Sequence, residues 1–470
     1  MDQKKQLLFN TIIIAIGKLG TQIISFILLP LYTNALSPDE YGTYDFWVTL
    51  STFLLPIITL MMEESMFRFL IDAETPKEKK KIITATVFYT TFGTVVFSAI
   101  ATVVMLIMHY EYLVAFLLFI VSNILIGLSN AVARGNGKIK LYSLSNFILG
   151  VSTIILNIVF ILGFKLGAVG LLWANTIANT LTALVIFAML HLRKYVAKKY
   201  LSRRTLTEMI RYSVPLVPNN LSWIIISLSD RLMLNLMVGN AANGIYSIAN
   251  KFPNIIYTCY GFFSTAWKES AAKIIKQENK EKYYNGIYKD VRNFLHAVVL
   301  GLIAIMPFAF SKFINESYND AYMYIPILTV AIYYTNMSNF YGGIFTAYKN
   351  TKIMGSTTVG AAIINIVINA IFIPKFGIYA ASFSTLISNL VVYVYRRYKL
   401  QDYIKLKSKP NIIYYLLLII TLVTYYYRNT VMSAITFVIV LIYCIYTNKN
   451  FIKGIINPIV RRIKSKNNES

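Results

Sequence analysis

Apolar runs of about 18 residues or more recur from one end of this 470-residue chain to the other. As a helix rising roughly 1.5 Å per residue, each run is long enough to cross a hydrocarbon core of roughly 30 Å. Inside lipid, every backbone N–H and C=O must find its partner within the protein, and helices satisfy that requirement segment by segment. The fold class is therefore all-α, a polytopic membrane protein. The composition is 57% hydrophobic and 14% charged, and a soluble domain of this length needs far more charge at its surface.

The runs place spans at 7–35, 41–68, 82–108, 112–133, 139–163, 168–190, 214–238, 244–267, 288–310, 322–346, 353–373, 377–396, 411–427 and 431–447, about fourteen in all. Lys4 and Lys5 precede the first run as in a signal peptide. No small-residue cleavage pattern follows, so the run reads as a retained first helix.

The net charge of +25 does not point to nucleic acid, because the basic residues form no single patch. They fall in alternate loops. ETPKEKKK, RGNGKIK, HLRKYVAKKYLSRR, KESAAKIIKQENKEK, AYKNTK, RRYKLQDYIKLKSK and the tail RRIKSK form one series. NALSPDEYG, HYEY, FKLGAVG, VGNAANG, SKFINESYND, PKFG and RNT form the other. Roughly 38 of the 45 Lys and Arg lie in the first series and about four in the second. That bias predicts cytoplasmic basic loops and cytoplasmic termini. The tyrosines of 110–112 and 425–427 suit interfacial belts.

The long basic stretch at 191–213 divides the spans into two sets of six, with two further spans at the end. The expected organisation is a lobe at 1–200, a second at 201–400, and two extra helices with a basic tail at 401–470. The halves resemble each other. LLPLYTNALSPDEYGTYDFW aligns with MLNLMVGNAANGIYSIANKF, setting Gly42 and Tyr44 against Gly244 and Tyr246. KLGAVGLLWANTIANTL aligns with KFGIYAASFSTLISNLV, setting Asn179 against Asn389. Repeats of six spans share one orientation, so they are expected to be related by a pseudo-two-fold along the membrane normal, as in transporters.

Polar residues recur on single helix faces. Asn146, Gly150, Thr153 and Asn157 stand at i, i+4, i+7 and i+11, and Thr358, Ala362, Asn365 and Asn369 repeat the spacing. Asn123, Gly127, Asn130 and Arg134 do the same in the fourth span, and Asn219, Ser222, Ser229 and Asp230 mark the seventh. Two readings stand: close helix packing with asparagines bonding across the interface, or a hydrated cavity lined by several helices.

Charges within the spans are costly and default to function. Lys18 lies deep in the first span. Arg231 and Lys251 each lie about seven residues inside the hairpin closed by VGNAANG, or about 10 Å below that surface. Asp230 is at similar depth. It can pair structurally with Lys251, or hold a cation in place, or take a coupling proton. Arg231 can snorkel outward or meet an anionic head group. Asp45 sits near the outer end of the second span; Glu63, Glu64 and Arg68 sit near its cytoplasmic end, where solvation is expected. Cys259 and Cys444 are both within spans, and His109, His191 and His296 show no ligand spacing, so no metal site is expected. The chain contains no GxxxxGK[ST] loop. No outer loop is large enough to assemble a catalytic site, which argues against an enzyme.

The segment LPLYTNALSPDEYGTYDFW after GKLG, its counterpart DRLMLNLMVGNAANGIYSIANKF, and RGNGK resemble motifs of one family. The chain resembles the oligosaccharide-lipid flippases (Wzx type) of the multidrug/oligosaccharidyl-lipid/polysaccharide exporter superfamily, over nearly its whole length. The resemblance implies a multi-pass protein of the bacterial cytoplasmic membrane. It implies transfer of a polyprenyl-diphosphate-linked oligosaccharide for capsule, exopolysaccharide or O-antigen synthesis, by alternating access. It also implies membrane lipids and other polysaccharide-assembly membrane proteins as partners, no cofactor, and a proton or sodium ion as coupling ion. On the same ground Lys18 and Lys251 become cargo contacts; Arg231 joins them by its depth in the seventh span. Asp230, Asp45, Glu64, Asn157, Asn219 and Asn365 are cavity or ion-coupling candidates by their positions within the spans, not by the resemblance. Three rivals remain: a lipid-linked peptidoglycan-precursor flippase, a cation-coupled drug antiporter of the same superfamily, and a membrane polysaccharide polymerase.

Overall fold

The computed structural model describes residues 26, 28–107, 112–275, 277–348, 350–407 and 411–467, some of them, including Asn219 and 450–467, by backbone alone. Lys18 lies outside the described residues, and Asn219 outside the described side chains. The described residues fold into helices α1 (Leu29–Ala35), α2 (Pro38–Thr59), α3 (Met62–Asp72), α4 (Pro76–Ile107), α5 (Leu113–Gly135), α6 (Ile139–Asn157, extended by a π-helical turn, Ile158–Gly163), α7 (Gly167–Met189), α8 (Arg203–Ser213), α9 (Leu216–Met237), α10 (Asn240–Ile274), α11 (Lys280–Phe313), α12 (Ala321–Ala347), α13 (Thr351–Phe376), α14 (Ile378–Leu400), α15 (Ile412–Tyr427) and α16 (Thr430–Asn467), with short 3₁₀ turns between some of them. Helices occupy every expected span that is described. Among the described residues eight are long and apolar enough to cross a membrane singly, and α2 with α3 make a ninth as a bent pair.

Two compact units emerge, Met1–Gly244 and Ile245–Ser470. In the first, α2 starts on a capping box: the Ser37 hydroxyl accepts from Glu40 N–H (3.2 Å), and the Glu40 carboxylate accepts from Ser37 N–H (2.9 Å). The stretch at 41–68 is not the straight span expected from its hydropathy. Leu60 and Met61 both take left-handed backbone angles, φ 47° and 54°, and α3 departs from α2 at 55°. Neither is glycine, so each costs about 1–2 kcal/mol. The Thr59 hydroxyl accepts from Met61 N–H at the break (3.1 Å). Glu63 and Glu64 fall in the first turn of α3, where the helix dipole favours carboxylates. The linker expected at 191–213 contains the amphipathic α8. Met209 of α8 is fully buried against Met62, Met66 and Leu70 of α3 and Ile82 and Ile83 of α4.

In the second unit, α12 is buried along most of its length and packs chiefly on α14. Trp267 stacks on Phe340 at 4.5 Å and donates to its carbonyl oxygen at 2.9 Å. The two extra helices are fastened to this unit. His296 stacks on Tyr414 at 3.5 Å, and the Tyr425 hydroxyl donates to the Tyr322 carbonyl at 2.6 Å.

Candidate functional site

The first unit's most informative site lies where α2 crosses the hairpin of α9 and α10, at the end away from the basic loops. A Cβ on Gly42 would stand 1.8 Å from the Asn240 carbonyl oxygen, and one on Gly244 would stand 2.0 Å from that of Pro38. The two glycines are the positions the internal repeat aligns, and Pro38 and Asn240 each precede them by four residues. The crossing is thus symmetric: each repeat offers the same glycine face to the same carbonyl of the other. Only residues without a side chain permit backbones this close. The Asn243 side-chain amide donates to the Gly42 carbonyl at 2.7 Å, and that of Asn235 donates to the Asn240 side chain across the α9–α10 turn.

About one turn further along α2, Arg231 Nε donates to Asp45 Oδ2 at 2.6 Å; the side chains are 14% and 11% exposed. Arg231 also donates to the Ser227 hydroxyl (2.5 Å) and carbonyl (3.2 Å). Arg231 is therefore not turned outward, and its charge is neutralised by the second span. A mostly buried pair of this kind is unlike an exposed one: removing one partner strands the other charge. Asp230 is buried, 2% exposed. Lys251 is half-buried on α10, two turns beyond Gly244, and Glu64 is half-buried in the first turn of α3.

Two of the polar stripes end in buried amides, whereas Asn123, Asn130 and Asn146 are half-exposed. Asn157 is fully buried and its amide donates to the Tyr32 hydroxyl at 2.9 Å. Asn365 and Asn369 are equally buried. The Ser384 hydroxyl accepts from Asn365 (3.1 Å) and donates to Asn369 Oδ1 (2.6 Å). Asn157 and Asn365 thus bond between helices of their own unit, because the face that carries them meets another helix rather than water. Matching contacts recur in each unit: Asn175 donates to the Tyr44 hydroxyl at 3.1 Å, and Tyr246 meets Thr385 at 3.5 Å.

One cation escaped the sequence reading. Arg396 lies in a segment that reads as a basic loop, yet it is 1% exposed. Its guanidinium donates to the Thr357 hydroxyl (2.9 Å), the Thr358 hydroxyl (3.2 Å), and the carbonyls of Ser338 and Met354 (both 3.2 Å). Among the described residues no carboxylate pairs with it.

Membrane-length helices in both units, with α2 crossing the α9–α10 hairpin of the first at repeat-equivalent glycines and charges held inside, define a multi-pass membrane protein. The profile of a family described as polysaccharide biosynthesis protein matches residues 7–267. The chain belongs to that family. An uncharacterized membrane protein of Methanocaldococcus jannaschii is 23% identical over 293 residues, 59% of this chain and 68% of that protein. Among solved structures, the lipid II flippase MurJ in an inward closed conformation is similar with a TM-score of 0.72 at 16% identity, over 96% of this chain and all of that one. An inward-facing multidrug resistance transporter of the MATE family is similar with a TM-score of 0.66 at 13% identity, over 83% of this chain and 98% of that one. Identities this low speak for the fold.

Proposed function

We propose that this protein is a flippase that carries polyprenyl-diphosphate-linked oligosaccharide repeat units from the cytoplasmic to the outer leaflet of a bacterial cytoplasmic membrane. The loop charges support cytoplasmic termini. The observation that carries the reading is the symmetric crossing at Gly42 and Gly244. On this reading it is a backbone contact, at the end away from the basic loops, that alternating access breaks and remakes, and the family description supplies the class of cargo. Lys18 and Lys251 are the contacts for the diphosphate, which needs positive charge at bilayer depth. Arg231 joins them when the crossing opens and Asp45 releases it. Asp230 holds the cations or takes a coupling proton, with sodium as the other candidate ion. The lobes drawn from the repeat, 1–200 and 201–400, are the rocking bodies, with 401–470 riding on the second.

The test is transport of lipid-linked oligosaccharide by the full chain in vesicles. Lys18→Ala and Lys251→Ala are expected to lower transport at unchanged yield of folded protein. Unchanged transport in both would sink the diphosphate contacts. The fold similarity to MurJ favours one second reading, a lipid-linked peptidoglycan precursor as cargo, and the same vesicles loaded with that precursor decide between them.

A further inference from the structure

In the first unit, a cavity of about 510 Å³ lies between α4, α5 and α7 and is roofed by the segment after α7. It is lined almost wholly by apolar side chains, among them Ile83, Val87, Leu125 and Leu128, and its rim reaches the exposed surface at Val95 and Leu125. Interiors tolerate few voids larger than a water molecule, and water needs polar partners that this one scarcely provides. Its threonines do not change that. Of its three threonines, the hydroxyl of Thr90 donates to the Thr86 carbonyl (2.8 Å) and that of Thr94 to the Thr90 carbonyl (2.6 Å), so these two are satisfied within their own helix.

The cavity has a direction. From Ile83 to Val95 it follows twelve residues of α4, about 18 Å at the helical rise. Half of a hydrocarbon core is roughly 15 Å. The cavity therefore covers one leaflet, the one on the basic-loop side, because α4 begins there. At that end it is closed by Arg193, which is exposed and makes no ion pair among the described residues. The basic segment around Arg193 is fixed in place. Thr84 donates to the Tyr195 carbonyl at 2.8 Å, and Lys80 Nζ donates to the Tyr200 hydroxyl at 3.4 Å. These contacts bring the lysines of α4's first turns beside those of the segment.

The geometry points to a binding site for an anionic phospholipid of the basic-side leaflet, with one acyl chain in the cavity and the phosphate at Arg193. The apolar length selects the chain, and the cation at its mouth selects the head-group charge. None of its lining residues is a proposed cargo contact or a member of the Asp45–Arg231 pair.

Native mass spectrometry of the full chain, extracted from vesicles of phosphatidylcholine and phosphatidylglycerol, tests it. The wild type is expected to retain one phosphatidylglycerol more than Leu125→Trp, which fills the cavity, or Arg193→Gln, which removes the surface charge without touching the core. A loss of about fivefold in that adduct is expected for Arg193→Gln, the factor typical of one interfacial cation. Phosphatidylcholine retention should be the same in all three. Equal phosphatidylglycerol retention in all three, equal retention of the two lipids by the wild type, or displacement of the adduct by glycerol phosphate alone would each overturn the proposal.

Discussion

Gly42→Ala tests the crossing most directly. Elsewhere in a helix, alanine is favoured over glycine by about 0.8–1.0 kcal/mol. Here the added methyl would lie 1.8 Å from a backbone carbonyl oxygen that has no rotamer by which to retreat. Restoring ordinary contact requires α2 and the start of α10 to part by roughly 1.6 Å. That movement breaks the Asn243–Gly42 hydrogen bond, worth about 1 kcal/mol. It also stretches the Asp45–Arg231 pair, at a cost of about 2 kcal/mol. The propensity gain is common to both states, since α2 stays helical in each, so the closed crossing loses about 3 kcal/mol, roughly a 150-fold shift toward the parted state. Gly244→Ala meets the mirror clash, 2.0 Å from the Pro38 carbonyl, and should shift the balance equally. The double variant should add little, since one parting relieves both clashes. Spin labels at the exposed positions of Asp39→Cys and Ala241→Cys, in a chain freed of Cys259 and Cys444, report the separation by pulsed electron resonance. A longer main distance in both alanine variants is expected. Distributions that superimpose on the wild type, with the protein folded, would refute the reasoning.

Other outcomes follow from the same contacts. Asp45→Asn and Arg231→Gln should each lower thermal stability in detergent, and their double variant should show a coupling within about 0.5–3 kcal/mol; a coupling of zero would mean the pair is incidental. Arg396→Met should destabilise the second unit by about 3 kcal/mol, and Arg396→Lys should not rescue it, because an ammonium cannot reach the four acceptors that the planar fork reaches; full rescue by lysine in a thermal melt would contradict this. Asn369→Ala should cost stability through the Ser384 network while leaving transport per folded molecule unchanged. Lost transport at unchanged stability would return that stripe to the cargo path.

Much of the architecture is legible because hydropathy, helix period and loop charge are local properties. The capping box at Ser37 and Glu40 is written in the sequence, and so is the equivalence of Gly42 with Gly244. The break at Leu60 and Met61 is not: no glycine or proline marks either position, and tertiary contacts hold the strained backbone. Periodicity puts Asn157 and Asn365 on a single face, but what that face meets depends on the neighbouring helix. A buried asparagine pair and a wet one leave the same pattern. Arg396 was hidden for the same reason, since a cation near a span end reads identically whether water or three helices surround it.

The seventh span shows what such a mismatch means. The repeat assigns α9 to the second half of the chain, whereas its packing, through Arg231 to Asp45 and along α2, belongs to the first unit. A span whose ancestry and contacts disagree is held by a contact that is not intrinsic to its own repeat. Such a contact is expected to be weaker than the asparagine networks inside each unit, which tie helices together through fully buried amides. On the alternating-access reading, the first joint to yield is therefore the glycine crossing with its ion pair, while the buried amides of Asn157, Asn365 and Asn369 hold helices together within each unit.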